Sequence, residues 1–211
     1  MFYLFQDMAF LPIQVIIVTL ILNQLLGAIE KREKLYKMNM AINTFFGEVG
    51  ADLISMLSSY NINMKGLREK LIIKPDWDNV MFQATANAVK VFNYVIDSKN
   101  GNLNELKIHM NDKRPFLLGL LGNPNLLEHD SFTDLLWAIF HLTDELDSRK
   151  GFEDLPNVDY DHLSVDIKRA YLLLLFEWLH YLKYLKNDYP YLFSMAIRKN
   201  PFNLDASIII R

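Results

Sequence analysis

The sequence predicts an all-α protein: an N-terminal transmembrane helix that continues into a cytoplasmic bundle of about five to seven helices. Three observations predict it. Phe10 to Ile29 (FLPIQVIIVTLILNQLLGAI) contains no formally charged side chain. Most of the remaining chain repeats its apolar residues at three- and four-residue steps, the period of an amphipathic helix. Glycine and proline number only 8 and 7 in 211 residues, and they fall at intervals that mark helix ends. The domain reading is an anchor over 1–30, a helical cytoplasmic domain over 31–200 and an extended tail over 201–211.

As a helix, 10–29 rises about 30 Å, the thickness of a bilayer's hydrocarbon core. A cleaved signal peptide would carry a basic leader and a small-residue cleavage site. Here MFYLFQDMA precedes the run with Asp7 and no Lys or Arg, and EKREKLYK follows it. A soluble core helix would carry more polar interruptions than Gln14, Thr19, Asn23 and Gln24. Lys31, Arg32, Lys34 and Lys37 all lie after the run, so the positive-inside rule places the N-terminus outside and the body in the cytoplasm of a single-pass membrane protein. The same charges suit anionic headgroups. Phe2, Tyr3, Phe5 and Phe10 suit the opposite interface as an aromatic belt. Gln14, Asn23 and Gln24 are costly in lipid unless hydrogen-bonded, which points to self-association through the anchor. The alternative is that Asn23 and Gln24 are wet at the interface.

Beyond the anchor, 31–60 is free of proline and carries Leu35, Met38, Ile42, Phe45, Phe46, Val49, Leu53, Met56 and Leu57 on one stripe, a helical continuation. Such a helix would fix the body relative to the bilayer unless Gly47 and Gly50 soften it; this glycine pair reads as close helix packing. Asn61 to Asn63 breaks the pattern, and a short helix is expected over 65–72. Pro75 and Asp76 start a helix through Asp97, with Trp77, Val80, Met81, Ala84, Ala88, Val91, Phe92 and Val95 as its apolar side. SKNGN at 98–102 is a turn. Two short helices follow, 103–110 and 114–121, the second with Pro115 near its start. Ser131 with Asp134 resembles a capping box opening a helix whose stripe is Phe132, Leu135, Leu136, Ile139, Leu142 and Leu146. The last long helix, 161–187, is apolar nearly all round at YLLLLFEWL (171–179), the pattern of a central buried helix too short to span a bilayer. A final helix is expected over 191–199. The tail ASIIIR (206–211) is β-branched but has no partner strand.

A formal charge of −3 argues against a nucleic-acid partner. The absence of cysteine excludes disulfides, thiolate metal sites and cysteine nucleophiles. No G-x-S-x-G, S-x-x-K, H-E-x-x-H, P-loop or dinucleotide glycine pattern occurs, so no catalytic residue and no cofactor is assigned.

Two constellations remain. On the 161–187 helix, Asp166, Leu173, Glu177, His180 and Tyr184 fall within about 60° of one another at 100° per residue. Glu177 lies in the most apolar run of the body, where a carboxylate is costly unless paired or protonated. Glu177 and His180 form an E-x-x-H of the kind di-metal bundles use, but the second such pair is missing, and Asp159 with His162 is a poor substitute. The competing reading is a structural ion pair, with Arg169 or a lysine. The second constellation is EHDSFTD (128–134) with His141 and Glu145. Asp134, His141 and Glu145 share a side opposite the Phe132 stripe, which reads as a solvated face. Trp137, one turn before His141, hints at a partner surface.

FLPIQVIIVTLI, NTFFGEVGADLISML, NLLEHDSFTDLLWAIFHLTDEL and LKNDYPYLFSMAIRKNPF together resemble a group of uncharacterised bacterial proteins with one N-terminal membrane helix. The resemblance covers nearly the whole chain. It implies the anchor and the helical body, and it transfers no activity, cofactor or site residue. The function expected is a membrane-anchored, non-enzymatic scaffold or subunit of a membrane complex. Its expected partners are the lipid bilayer and either further copies of itself or another membrane protein. The alternative is a carboxylate/histidine metal- or small-ligand-binding bundle built on Glu177 and His180.

Overall fold

The computed structural model describes residues 2–127, 129–204 and 206–207, with side chains from residue 14 onward except that of residue 127. The aromatic belt of Phe2 to Phe10, Asp7, Glu128 and most of the β-branched tail therefore lie outside the described side chains or residues. All regular structure among the described residues is helical, apart from an isolated antiparallel bridge between Asn61 and Ile96. The chain divides into two compact units, Met1–Met40 and Ala41–Arg211.

The first unit is a single helix, part of α1 (Phe2–Phe45). Each large apolar side chain from Val15 to Ile29 is more than half exposed, at 51–59%. Gln14, Asn23, Gln24, Lys31, Arg32, Lys34 and Lys37 are exposed as well. Thr19 satisfies its hydroxyl by donating to the Val15 carbonyl (2.7 Å).

In the second unit the helix does not keep one pitch through to Tyr60. A π-helical turn, Phe46–Gly50, precedes α2 (Ala51–Ser58). Its extra residue per turn shifts the apolar stripe by one position. Phe45 and Phe46, Val49 and Gly50, and Leu53 and Ile54 are buried as consecutive pairs.

α3 (Lys65–Arg68) runs into a 3₁₀ turn, Glu69–Leu71. α4 (Asn79–Val91) is shorter than its apolar residues predict. It starts late because the Asp78 carboxylate caps the Met81 N–H (2.8 Å), and Phe92 is already extended at φ −65°, ψ 139°. Residues 92–97 instead pair with 60–63. Ile62 N–H donates to the Val95 carbonyl (2.9 Å), Asp97 N–H to the Tyr60 carbonyl (2.9 Å), and the Asn63 amide to the Asn93 carbonyl (2.5 Å). The expected apolar side is also corrected. Phe82, Ala86 and Val89 face the core, whereas Val80, Met81 and Val91 are exposed.

A 3₁₀ turn, Ser98–Asn100, leads to α5 (Leu103–Leu121), one helix rather than two. Pro115 lies on its exposed side, and burial of Leu106, Met110, Leu117 and Leu120 holds the turns on either side of it. After a single turn, α6 (Pro124–Leu127), α7 spans Asp130–Asp147. Its cap is His129, whose Nδ1 accepts from Phe132 N–H (3.2 Å), and not the Ser131/Asp134 box.

α8 (Asn157–Asp188) is the axis of the body and begins a turn earlier than expected. Leu163, Ile167, Ala170, Leu174, Leu175, Leu179 and Leu182 are buried along it. α2, α4, α7 and α9 (Pro190–Arg198) all pack against it. Beyond α9, Phe202 is buried with its ring edge-on to Trp178 (5.4 Å). Asn200 secures this turn by donating to the Leu71 carbonyl (2.8 Å) and accepting from Phe202 N–H (2.9 Å).

Candidate functional site

The α7–α8 hairpin assembles a set of residues that single-helix reasoning divides differently. Each helix carries a histidine and a carboxylate four residues apart: His141 and Glu145 on α7, His162 and Asp166 on α8. That spacing places both members of a pair on one face. The antiparallel register sets His141 opposite Asp166 and Glu145 opposite His162. His141 Nε2 lies 3.4 Å from Asp166 Oδ1, and His162 Nε2 lies 3.3 Å from Asp166 Oδ2 and 3.5 Å from Glu145 Oε2. One donor atom from each of the four residues lies within 4.8 Å of every other. The set thus turns two imidazole nitrogens and two carboxylates toward a common point.

Burial is graded across this set. Asp166 is only 3% exposed, while the side chains of His141 and His162 are 45% and 49% exposed. Arg149 braces the Glu145 side. Its guanidinium donates to Glu145 Oε2 (2.9 Å) and makes two bonds to Asp159, Nε to Oδ2 (2.8 Å) and Nη2 to Oδ1 (2.7 Å). Arg149 also donates to the Glu145 backbone carbonyl. The hydrogen bond from Arg149, followed by its charge and those of His162 and His141, holds the Glu145 carboxyl below the usual range. The same guanidinium lowers Asp159. Arg169 does not pair with Glu177; its Nη1 lies 3.6 Å from Asp166 Oδ1.

This arrangement corrects two expectations. His141 and Glu145 do not lie on a merely solvated face, because α8 supplies the other half of the cluster. Asp166 does not lie beside Glu177 and His180, because eleven and fourteen residues of helix, about 16 and 21 Å of rise, separate it from them. The competing placement of Glu177 beside Arg169 is not realised either. Trp137 is 59% exposed and lines an open groove of about 490 Å³ with Asp134, Ala138, His141, Arg169 and Leu173. The groove joins the expected partner surface, Trp137 and His141, to the edge of the cluster.

Glu177 is buried, with His180 Nδ1 4.0 Å from its Oε1, too far for a hydrogen bond. That oxygen has no hydrogen-bond partner among the described residues. Burial lowers the His180 pKa, partly opposed by Glu177, with His129, Lys183 and Lys90 adding to the lowering. An unpaired buried carboxylate oxygen destabilises its fold. Glu177→Met should therefore stabilise the body by about 1–3 kcal/mol, read as a higher denaturant midpoint of the full chain in detergent. A lower midpoint would show that the carboxylate makes a bond worth more than its desolvation.

Sequence reading sets His162 aside as a poor substitute for a second E-x-x-H and places Glu145 on a solvated face. The signal was present as two i,i+4 histidine–carboxylate pairs on consecutive helices. It becomes visible only when the helices are folded antiparallel and their registers are matched.

Comparison with known proteins agrees with the helical architecture. The family described as "Uncharacterized protein MJ1433, C-terminal helical domain" matches residues 34–198, and "MJ1433, N-terminal helical domain" matches residues 1–26. The chain is 41% identical over 208 residues to "Uncharacterized protein MJ1433" of Methanocaldococcus jannaschii, covering 99% of this chain and 83% of that protein. No solved structure matches. That relative is archaeal, whereas the resemblance seen in the sequence is to bacterial proteins. By both the extent of the family match and the identity to this relative, the chain belongs to the MJ1433 family of helical proteins.

Proposed function

We propose that this protein is a single-pass membrane protein whose helical body acts at the cytoplasmic face as a scaffold or subunit of a membrane-associated assembly. One observation carries the reading: the exposed apolar surface of 15–29. Ten large apolar side chains there are more than half exposed. Removing them from water is favourable by about 1 kcal/mol or more each, of order 10 kcal/mol together. Among the described residues, one helix is long and apolar enough to cross a membrane. The basic cluster Lys31, Arg32, Lys34 and Lys37 supports an orientation with the body inside. Gln14, Asn23 and Gln24 support pairing of anchors, because a lipid-facing amide gains by finding a partner helix. Further copies of this chain or another membrane protein are the partners proposed. The His–carboxylate cluster favours a second reading, a ligand-binding bundle on the same anchor.

Membrane fractionation with protease applied from either side tests this. Release by detergent but not by carbonate or high salt is expected, with the body digested only from the cytoplasmic side. Carbonate release would overturn the anchor and make 10–29 the core of a soluble oligomer. Digestion of the body from outside would overturn the orientation.

A further inference from the structure

We propose that His141, Glu145, His162 and Asp166 bind one divalent transition cation of the zinc class. The argument starts from distances. Charge-assisted hydrogen bonds between nitrogen and carboxylate oxygen are about 2.7–2.9 Å long. The histidine–carboxylate separations here are 3.3, 3.4 and 3.5 Å, and none is a hydrogen bond. A tetrahedron with metal–ligand bonds of about 2.0–2.1 Å has edges of about 3.3–3.4 Å. Three histidine–carboxylate separations fall at or near that edge length, counting both oxygens of Asp166, and single ligand atoms from all four residues lie within 4.8 Å of one another, a spacing that small side-chain adjustments close onto one cation.

Asp166 supplies the independent observation. It is 3% exposed, and its Oδ2, which faces His162, has no hydrogen-bond partner among the described residues. A buried carboxylate oxygen without a donor is an unfavourable state that a bound cation removes. Arg169 approaches only the other oxygen, at 3.6 Å, and its side chain is 55% exposed. Charge points the same way. Asp166, Glu145 and Asp159 carry three negative charges against the two positive charges of Arg149 and Arg169 when the imidazoles are neutral, as ligation requires. Arg149 orients Glu145 from outside the set and is itself fixed by Asp159, the usual outer arrangement around a ligating carboxylate. The half-exposed imidazoles leave the cation a path from solvent.

The donor set defines the cation. Two imidazoles favour zinc, ferrous iron or cobalt over magnesium and calcium, which prefer oxygen ligands. The Glu177–His180 pair offers only two groups at 4.0 Å and does not assemble such a set.

The test uses the full chain in detergent, stripped with a chelator and titrated with Zn²⁺ by calorimetry. Saturable binding of one equivalent is expected, undiminished by a large excess of Mg²⁺ or Ca²⁺. H141A, H162A and D166N should each weaken it at least about tenfold, with circular dichroism confirming the fold, and H180A should leave it unchanged. Co²⁺ in place of zinc should give the intense visible absorption of a tetrahedral site. Because a ligand variant that fails to fold reports nothing, X-ray absorption on the zinc-loaded wild type provides a second readout, with two imidazoles expected in the first shell. Absence of saturable binding, undiminished binding in folded D166N and H162A, or a first shell without imidazole would each overturn the proposal.

Discussion

Gly50→Ala should destabilise the body by about 1–3 kcal/mol, while Gly47→Ala, three residues earlier in the same π-helical turn, should stabilise it by about 0.5–1 kcal/mol. A Cβ at Gly50 would lie 2.5 Å from Cδ1 and 2.9 Å from Cε1 of Phe46, and 2.9 Å from Cε1 of Phe45. Neither ring is free to swing away. Phe45 is fully buried and packs edge-on against Phe132 (5.2 Å). Phe46 stacks on Tyr181 at 4.7 Å with the planes 14° apart, and Tyr181 is held by its hydroxyl donating to Asn43 Oδ1 (3.1 Å). At Gly47 a Cβ would meet nothing within 4 Å, because the residue borders a wide groove of about 750 Å³. There an added methyl group only restricts the unfolded chain and favours the helix. Denaturant unfolding of the full chain in detergent should show shifts of opposite sign. A neutral Gly50→Ala would mean that the aromatic pair repacks, and that the π turn is not fixed by the approach at residue 50.

The glycine pair shows what the sequence makes legible. Two small residues at this spacing read as a close-packing device, and one of them is; the other faces open space. A linear pattern records where bulk is missing but not which neighbour fills the gap. The same limit explains the helices. The apolar run 171–179 marks the axis of the body because it is apolar all round. The π turn is invisible because Phe45–Phe46 looks like an α-stripe with one extra member. α4 is over-extended because Val91, Phe92 and Val95 fit a helical period, while their partners in the pairing, Asn61 to Asn63, read as a break. α5 is split at Pro115 because a proline's cost depends on whether its freed carbonyl reaches water. The candidate site divides in the same way. One helix at a time, Asp166 stands out only as a neighbour of the costly carboxylate Glu177, and His141 and Glu145 only as a polar face. Only the antiparallel register adds His162 and detaches Asp166 from Glu177 and His180.

Arg149→Ala should destabilise the body by about 2–4 kcal/mol at neutral pH, and this gap should close in acid. Arg149 makes three charged side-chain hydrogen bonds of 2.7–2.9 Å, two to Asp159 and one to Glu145, which tie the end of α7 to the start of α8. Hydrogen bonds to charged groups are worth about 1.5–3 kcal/mol each. The sum is discounted because the three side chains remain 13–30% exposed. The pairing lowers both carboxyls from ordinary values of 4.5 and 3.8 and raises the guanidinium. Lowered carboxyl values mean that the unfolded chain takes up protons first as pH falls. The stabilisation is therefore complete above about pH 5 and is lost as pH drops through the lowered values. The raised guanidinium stays charged throughout this range and adds no dependence of its own. His162 and His141 also face Glu145, and both are present in wild type and variant alike. Denaturant midpoints of the two proteins in detergent, compared at pH 7 and at pH 3, measure the gap. A difference of the same size at both values would show that Arg149 acts through the packing of its stem and its bond to the Glu145 carbonyl. A difference that closes in acid assigns the stabilisation to the carboxylates, and with it the role of holding Glu145 in place against His162.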